Sequence, residues 1–430
     1  MTIPIKTLAL ASGLAAALGL CSCAGTRAGE TAAAEIEAIA PSGDASSGAT
    51  AAGDTVEAWL IAYPFQARTD ALTAEGGRGG SAYGGSEPFA RRELMPELDV
   101  NFKGIAFSVE YNEDRGHASA WKDLVMSRRV NASTPAACMT CKTGDIGEVF
   151  AEKGWSYASM PLSAFTAEEH PSITCANCHD LSTGHLEPKQ PGFIEALARQ
   201  GIELDSVPAD RMSAYVCAQC HSEYYFEPVT RRVVHPWDGG LSAAAAYAYY
   251  QGQPSGFLGD FTQPDSSAMM LKAQHPDYEE YSAGVHAAAG VACADCHMGK
   301  VDDGGVIKTS HRIASPLSNI EGTCMACHTD RDAAWLRSRV AVIQDTVFAA
   351  QRDAGQAVAA AHGAIAAAAA AGSPAARLAA ARLLVREAQW YWDWVASANS
   401  MGFHAPVAAL GNLAKATDLA HKARLALAGQ

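Results

Sequence analysis

Five pairs of cysteines, each with two residues between its members, carry the chemistry that this sequence predicts. Four of the pairs are followed directly by histidine, in the pattern C-x-x-C-H. In a c-type haem site of this pattern both thiols bond to the porphyrin and the histidine ligates the iron. The pattern therefore predicts covalently bound haem at Cys175, Cys178, Cys217, Cys220, Cys293, Cys296, Cys324 and Cys327.

The first pair, Cys138 and Cys141, is followed by Lys142 where the other four pairs have histidine. An amine is a harder ligand than imidazole, so a haem held here would differ chemically from the others. A single C-x-x-C-K could equally belong to a redox dithiol or a zinc site. The four complete motifs that follow it favour a fifth haem.

Cysteine usage argues against a disulfide framework and against a zinc ribbon. The chain has 12 cysteines, and only Cys21 and Cys23 lie outside the five pairs. A disulfide framework does not account for the histidine or lysine that follows every pair. A zinc ribbon needs two pairs roughly two dozen residues apart, and the last two pairs come near this spacing, but the histidine after each favours haem. We therefore expect five covalent haems c.

The number of histidines limits how many of these haems can have a second axial ligand. Haems that only transfer electrons usually have two strong axial ligands, whereas a catalytic haem keeps one position open. The chain has 14 histidines, and four are the proximal ligands His179, His221, His297 and His328. The residues alone do not pair the other ten, which are His117, His170, His185, His235, His275, His286, His311, His362, His404 and His421. The two in alanine-rich segments, His362 and His421, are expected to be surface or packing residues.

The N-terminus predicts export. Residues 1–23 resemble a signal, with Lys6 before an apolar run at 8–20 that is shorter than the about twenty residues of a membrane span. The residues before Cys23 resemble a lipoprotein cleavage box, which would leave Cys23 lipidated; ordinary secretory cleavage nearby is the alternative. Because haem is attached outside the cytoplasmic membrane, we expect a periplasmic protein or one held on the outer face of that membrane.

Composition divides the rest of the chain into three parts. Residues 24–54 are rich in small and polar residues and predict a flexible linker. Residues 55–330 hold every haem motif, with frequent proline and glycine, and predict a mainly α pentahaem core of short helices, long loops and very little β structure. Residues 331–430 are rich in helix formers and extend the same domain. We expect helices there at 333–351, 355–371, 374–398 and 407–427.

Two further properties of the sequence bear on partners. The formal net charge of −14 argues against nucleic acid, which binds basic surfaces. The long C-terminal helices could serve either core packing or a dimer interface, and the sequence does not decide between them.

Several short stretches resemble the pentahaem, ammonia-forming cytochrome c nitrite reductases. The resemblance extends over about 59–406, with the lysine-bearing pair as the first of five sites. The matching stretches are Cys138–Lys142, Arg115–His117, Cys217–Phe226, Lys272–Pro276, His311–Pro316 and Gly402–Pro406.

The resemblance implies an activity and a set of iron ligands. Nitrite would be reduced to ammonium in a six-electron reaction at the haem ligated by Lys142. Four bis-histidine haems would relay the electrons. The pairs implied by the family are His117 with His221, His311 with His179, His404 with His297, and His286 with His328.

The resemblance also implies a pocket for nitrite above the open iron, formed by Tyr224, His275 and an arginine. Counting forward from the stretch Arg115–His117 favours Arg129 as this arginine, and Arg128 is the alternative. A calcium ion would lie beside the pocket, as hard oxygen ligands favour. Its ligands would be Glu223, the carbonyls of Tyr224 and Lys272, and Gln274.

Partners follow from the same resemblance. The electron donor would be a membrane quinol-oxidising multihaem cytochrome or a soluble multihaem protein, and the chain would form a homodimer. Two other functions stay open at this point. The protein could be an electron carrier with Lys142 as an incidental ligand, or a related multihaem enzyme that reduces hydroxylamine or sulfite.

Overall fold

The computed structural model describes residues 53–77, 79–113 and 115–428. The predicted export signal, Cys23 and nearly all of the predicted linker lie outside this part of the chain. The first helix begins at Val56. Thr55 caps it, because Thr55 Oγ1 accepts a hydrogen bond from Ala58 N at 3.2 Å. Among the described residues, no helix combines the length and the apolar character needed to cross a membrane.

Short helices joined by irregular connections form the part of the chain that carries the haem motifs. Their bounds are α1 Val56–Ala62, α2 Pro64–Ala71, α3 Leu98–Asn101, α4 Ala120–Met126, α5 Ile146–Lys153, α6 Ser156–Ser159, α7 Pro191–Arg199, α8 Ala209–Ala218, α9 Ala243–Gln251, α10 Asp277–Ser282, α11 Val285–Ala288, α12 Cys293–His297 and α13 Cys324–Cys327. Each cysteine pair begins on one of these helices or on a 3₁₀ helix, as at Ala136–Cys141 and Cys175–Asn177.

Among the residues that the structure describes, strands are few and very short. They form three antiparallel hairpins, whose strands are β1 Tyr225–Phe226 with β2 Val233–Val234, β3 Phe261–Gln263 with β4 Ala268–Met270, and β5 Lys300–Asp302 with β6 Ile307–Thr309. The first hairpin begins directly after Tyr224, and the second leads into Lys272. The mainly α fold with very little β structure is therefore confirmed.

Three long helices close the chain: α14 Ala333–Ala370, α15 Ala375–Ser397 and α16 Pro406–Ala428. The two separate helices predicted at 333–351 and 355–371 were wrong, because α14 runs through both. Gly355 does not interrupt it; a Cβ at this position would lie 2.7 Å from Trp392 Nε1 and 2.8 Å from Glu97 Cγ, so glycine allows close packing. The predicted break before the next helix is confirmed at Gly372, which has a φ of +77°.

Helix α15 is the most deeply buried of the three. Its Trp390, Trp392 and Trp394 are at most 2% exposed. The indole of Trp390 donates to the Ala243 carbonyl at 2.7 Å, which ties α15 to α9. His362 of α14 is also fully buried, and its Nε2 lies 2.9 Å from Gln389 Oε1 of α15. His362 is therefore a packing residue, while His421 is exposed.

A buried ion pair fixes the chain at Lys272 to helix α15. Lys272 Nζ lies 3.0 Å from Asp393 Oδ1 and 2.7 Å from Ser397 Oγ, and the other carboxylate oxygen of Asp393 accepts from Ala273 N at 2.9 Å. The Lys272 ammonium also lies 4.9 Å from the ring centroid of Phe107. Breaking a buried pair costs about 3–5 kcal/mol, so this contact holds the segment that leads to His275 firmly in place.

Candidate multihaem redox site

Contacts between cysteines place the haem motifs beside one another. All ten cysteines of the five pairs are free thiols in the structure. The thiol of Cys141 in the first pair is close enough to that of Cys220 in the third for each to shift the pKa of the other, and the same holds for Cys217 of the third pair and Cys293 of the fourth. The third motif is therefore the immediate neighbour of the first and the fourth.

The fifth motif lies near the fourth, and the second motif lies near the third. Burial and the nearby thiols of the fifth pair raise the pKa of Cys296, in the fourth pair, to about 12. In the third pair, the neighbouring Cys141 thiol, burial and the Cys178 thiol raise the pKa of Cys220 well above its usual value. The five motifs thus form a continuous path in which the third motif is the branch point.

Three pairs of histidine rings face each other at the spacing that two ligands of one iron require. Two imidazoles bound to one metal by bonds of about 2 Å have ring centroids about 6 Å apart. The centroid distances in the structure are 6.2 Å for His117 and His221, 6.3 Å for His297 and His404, and 6.4 Å for His286 and His328. The residues of these pairs therefore fit a haem iron between them.

The fourth predicted pair, His179 and His311, is also close. Burial, and then the charge of His179, lower the pKa of His311, although its Nδ1 lies 3.4 Å from the Thr309 carbonyl. His179 Nδ1 lies 3.3 Å from the Gly184 carbonyl. A carbonyl oxygen can only accept, so each ring uses Nδ1 as a donor and keeps Nε2 for a metal.

Three of the remaining histidines have other surroundings. His170 Nδ1 lies 2.7 Å from Asp145 Oδ2, and His235 Nδ1 lies 3.0 Å from the Glu223 carbonyl. His185 is exposed. None of these three rings faces a proximal histidine among the ring contacts of the described residues.

Lys142 lies next to the third haem motif. Its backbone N–H donates to the Met139 carbonyl at 2.9 Å, which closes the 3₁₀ turn that holds the first cysteine pair. Burial, the His221 ring and the Lys142 ammonium together lower the pKa of His117 to about 3. The site with lysine is therefore adjacent to the pair His117 and His221.

The two candidate arginines point in different directions. Arg129 Cζ lies 4.6 Å from the ring centroid of Phe107, and both residues are half-buried. The side chain of Arg128 is 72% exposed and pairs with Glu110 at 3.0 Å. The Ser127 hydroxyl lies between the two arginine sites. It donates to Glu110 at 2.9 Å and accepts from Arg129 Nε at 3.2 Å. The geometry favours Arg129 as the pocket residue.

Tyr224 lies near both this arginine and the first cysteine pair. Burial raises the pKa of the Tyr224 phenol well above its usual value, and Arg129 opposes this shift. The phenol therefore keeps its proton and can donate a hydrogen bond.

His275, the third residue predicted for the nitrite pocket, lies beside His221. Its ring centroid lies 4.6 Å from that of His221, and its Nδ1 lies 2.9 Å from Asp277 Oδ2. Burial alone would raise the pKa of Asp277, but the rings of His275 and His221 hold it well below its usual value. Asp277, Phe107 and Asp393 are contacts of the site that the sequence did not predict.

The four groups predicted to bind calcium lie together. The Glu223 carboxylate is fully buried and accepts from Gln274 N at 2.6 Å and from the Tyr250 hydroxyl at 3.0 Å. Gln274 Nε2 lies 3.1 Å from the Lys272 carbonyl, so a cation here would need the amide oxygen of Gln274 in place of its nitrogen. Burial raises the pKa of Glu223 well above its usual value, and a neighbouring cation would offset this cost. The donor set fits calcium.

Comparisons with known proteins identify relatives of this chain. The sequence profile of the cytochrome c552 family matches residues 55–430. A cytochrome c-552 of Bacteroides fragilis is 36% identical over 362 residues, which cover 81% of this chain and 71% of that protein. The cytochrome c nitrite reductase subunit NrfA of Nitratidesulfovibrio vulgaris is 35% identical over 380 residues, with 79% and 72% covered.

A solved structure shows the same fold. The cytochrome c nitrite reductase from Desulfovibrio desulfuricans superposes with a TM-score of 0.83 at 32% identity, over 89% of this chain and 88% of that chain. Its catalytic subunit, NrfA, has two calcium sites.

Proposed function

Because the chain belongs to the cytochrome c552 family and is a cytochrome c nitrite reductase that carries haem c, we propose that it reduces nitrite to ammonium at the haem ligated by Lys142. One observation carries the proposal. The only cysteine pair followed by lysine is the one that has Arg129 and Tyr224 beside it, and His275 adjoins the same region through His221.

Arg129 is positioned to bind the substrate. Nitrite is an anion, and a guanidinium offers several N–H donors to its oxygens. The Phe107 ring under Arg129 limits the directions in which the guanidinium can turn. Arg129 therefore binds and orients nitrite, while Arg128 stays at the surface with Glu110.

Tyr224 and His275 supply protons. When bound, haem supplies electrons to the substrate through its iron, and each N–O bond that breaks also needs protons at the departing oxygen. The buried phenol of Tyr224 holds its proton at the hydroxyl oxygen. Asp277 accepts at Nδ1 of His275, so the proton that His275 delivers is the one at Nε2.

Calcium is the second cofactor that we propose. It would be held by Glu223, Gln274 and the carbonyls of Tyr224 and Lys272. In the sequence, Glu223 directly precedes Tyr224 and Gln274 directly precedes His275. Bound calcium would fix the two segments and add positive charge beside an anionic substrate.

The remaining parts of the proposal concern the setting of the enzyme. We propose that it works outside the cytoplasmic membrane, with or without a lipid anchor at Cys23. The four closed haems receive electrons from a membrane quinol-oxidising cytochrome or a soluble multihaem donor. A homodimer would form through the long C-terminal helices.

Nitrite binding in solution tests the proposed site. The purified holoprotein should show a high-spin haem signal that shifts on titration with nitrite. Arg129→Leu should weaken the apparent affinity at least about tenfold, because a charge-assisted contact of about 1.4 kcal/mol or more is lost. Arg128→Leu is the matched control, since its side chain is exposed, and it should titrate like the wild type.

The same titration separates the enzyme from an electron carrier. A carrier with five closed haems would give no nitrite-dependent shift in the wild type, and that result would contradict the proposal. If Arg129→Leu and Arg128→Leu weakened the apparent affinity for nitrite equally, the proposed role of Arg129 would be wrong, but the proposed activity would stand.

A further inference from the structure

One carboxylate oxygen faces two histidines that have different tasks. Asp277 Oδ2 lies 2.9 Å from Nδ1 of His275 and 3.5 Å from Nδ1 of His221. In the proposed enzyme, His275 faces the substrate and His221 ligates the iron of the third haem. Asp277 is 7% exposed, so little water competes for these contacts.

Asp277 is held in one orientation. Its other oxygen, Oδ1, accepts from the backbone N–H of Asn399 at 2.7 Å, just beyond the end of helix α15. The Asn399 amide also lies 3.3 Å from Oδ2. Because both oxygens are engaged, the carboxylate cannot turn away from the two rings without losing the Asn399 contacts.

The backbone around Asp277 is attached to both histidines as well. Asp277 N donates to the His275 carbonyl at 2.8 Å, and Tyr278 N donates to the His221 carbonyl at 2.9 Å. The turn that carries the carboxylate therefore keeps its distance from both rings fixed.

A metal ion shared by the three side chains is the alternative to direct hydrogen bonds. Their ligand atoms all lie within 4.8 Å of one another. However, the group offers only three donors, and both oxygens of Asp277 already accept hydrogen bonds from Asn399. Hydrogen bonds from the rings to the carboxylate account for the arrangement without a further ion.

We propose that Asp277 is a positioning residue that aligns His275 for proton delivery and at the same time strengthens His221 as an iron ligand. A carboxylate that accepts the second N–H of a metal-bound imidazole fixes its tautomer and raises its basicity. A more basic ligand stabilises the oxidised iron. Asp277 thus lowers the reduction potential of the haem next to the active site, an inference that rests on the ligand roles of the proposed function.

Redox titration of the holoprotein tests the contact with His221 without any nitrite. Asp277→Asn keeps the shape of the side chain and removes its charge. We expect the midpoint potential of one haem, the one that His221 ligates, to rise more than those of the other four. Asp265→Asn, a matched charge removal at an exposed residue paired with Lys103, should leave all five potentials unchanged. Asp277→Glu, which restores the charge, should bring the potential back towards the wild-type value and provides a second variant if Asp277→Asn folds poorly.

Steady-state kinetics test the contact with His275. Asp277→Asn should lower kcat for nitrite by about 10- to 100-fold, the usual effect of removing an outer-sphere partner, with a smaller change in KM. Five unchanged potentials in Asp277→Asn, or a stoichiometric metal beyond iron and calcium in the wild type, would overturn the inference. A wild type without nitrite turnover would instead overturn the proposed function, and the potentials would still decide the contact between Asp277 and His221.

Discussion

Replacement of Lys142 by histidine is expected to lower kcat for nitrite by about tenfold or more, within the range seen when the surroundings of a catalytic metal are altered. Imidazole is a stronger ligand for haem iron than an amine, so the substituted site would become chemically like the other four. The cysteines that attach the haem are unchanged. We therefore expect five haems per chain in the variant, with altered turnover and an altered high-spin signal.

A matched control separates the ligand from general effects of the substitution. Lys153→His makes the same replacement at the end of helix α5, where the lysine pairs with Glu152 at 2.7 Å. It should keep the wild-type kcat. Haem content and kcat with a reduced viologen donor give both results, and equal turnover of wild type and Lys142→His would refute a special role for the lysine.

Replacement of His275 by asparagine is expected to lower kcat by about 10²- to 10⁴-fold, the usual contribution of a general acid. The loss should fall mainly on kcat, because Arg129, the proposed contact for the anion, stays in place. Asparagine keeps a polar group beside Asp277 but cannot pass on a proton.

The exposed histidine of helix α16 provides the control for this substitution. His421→Asn should be kinetically silent, because the ring lies at the surface of the C-terminal helices. An unchanged kcat in His275→Asn, measured with saturating nitrite and reduced viologen, would show that His275 is not the proton donor.

The haem sites can be predicted from the sequence alone because each is a run of consecutive residues. Two cysteines and the following ligand form a local motif, so the positions of Lys142 and of the proximal histidines need no knowledge of the fold. The distal histidines are different. His117 and His404 meet their partners across more than a hundred residues of chain, and only the ring distances of about 6 Å pair them without reference to a family.

Other features depend on packing that one sequence does not reveal. Arg128 and Arg129 are neighbours of the same type, and it is Phe107 on one side and Glu110 on the other that distinguish them. Gly355 can end a helix or permit close contact, and only the position of Trp392 shows the second. Asp277 is one of 46 acidic residues, and nothing in the sequence marks it before the fold brings His221 beside it.

Nitrogen and electron balance test the central claim most directly. Purified holoprotein would be given ¹⁵N-labelled nitrite and a limiting, measured amount of reduced viologen, and the labelled products would be quantified by mass spectrometry. The proposed function predicts labelled ammonium as the product and six electrons consumed for each ammonium formed. Release of labelled nitric oxide with one electron consumed per nitrite, or oxidation of viologen without ammonium, would contradict it.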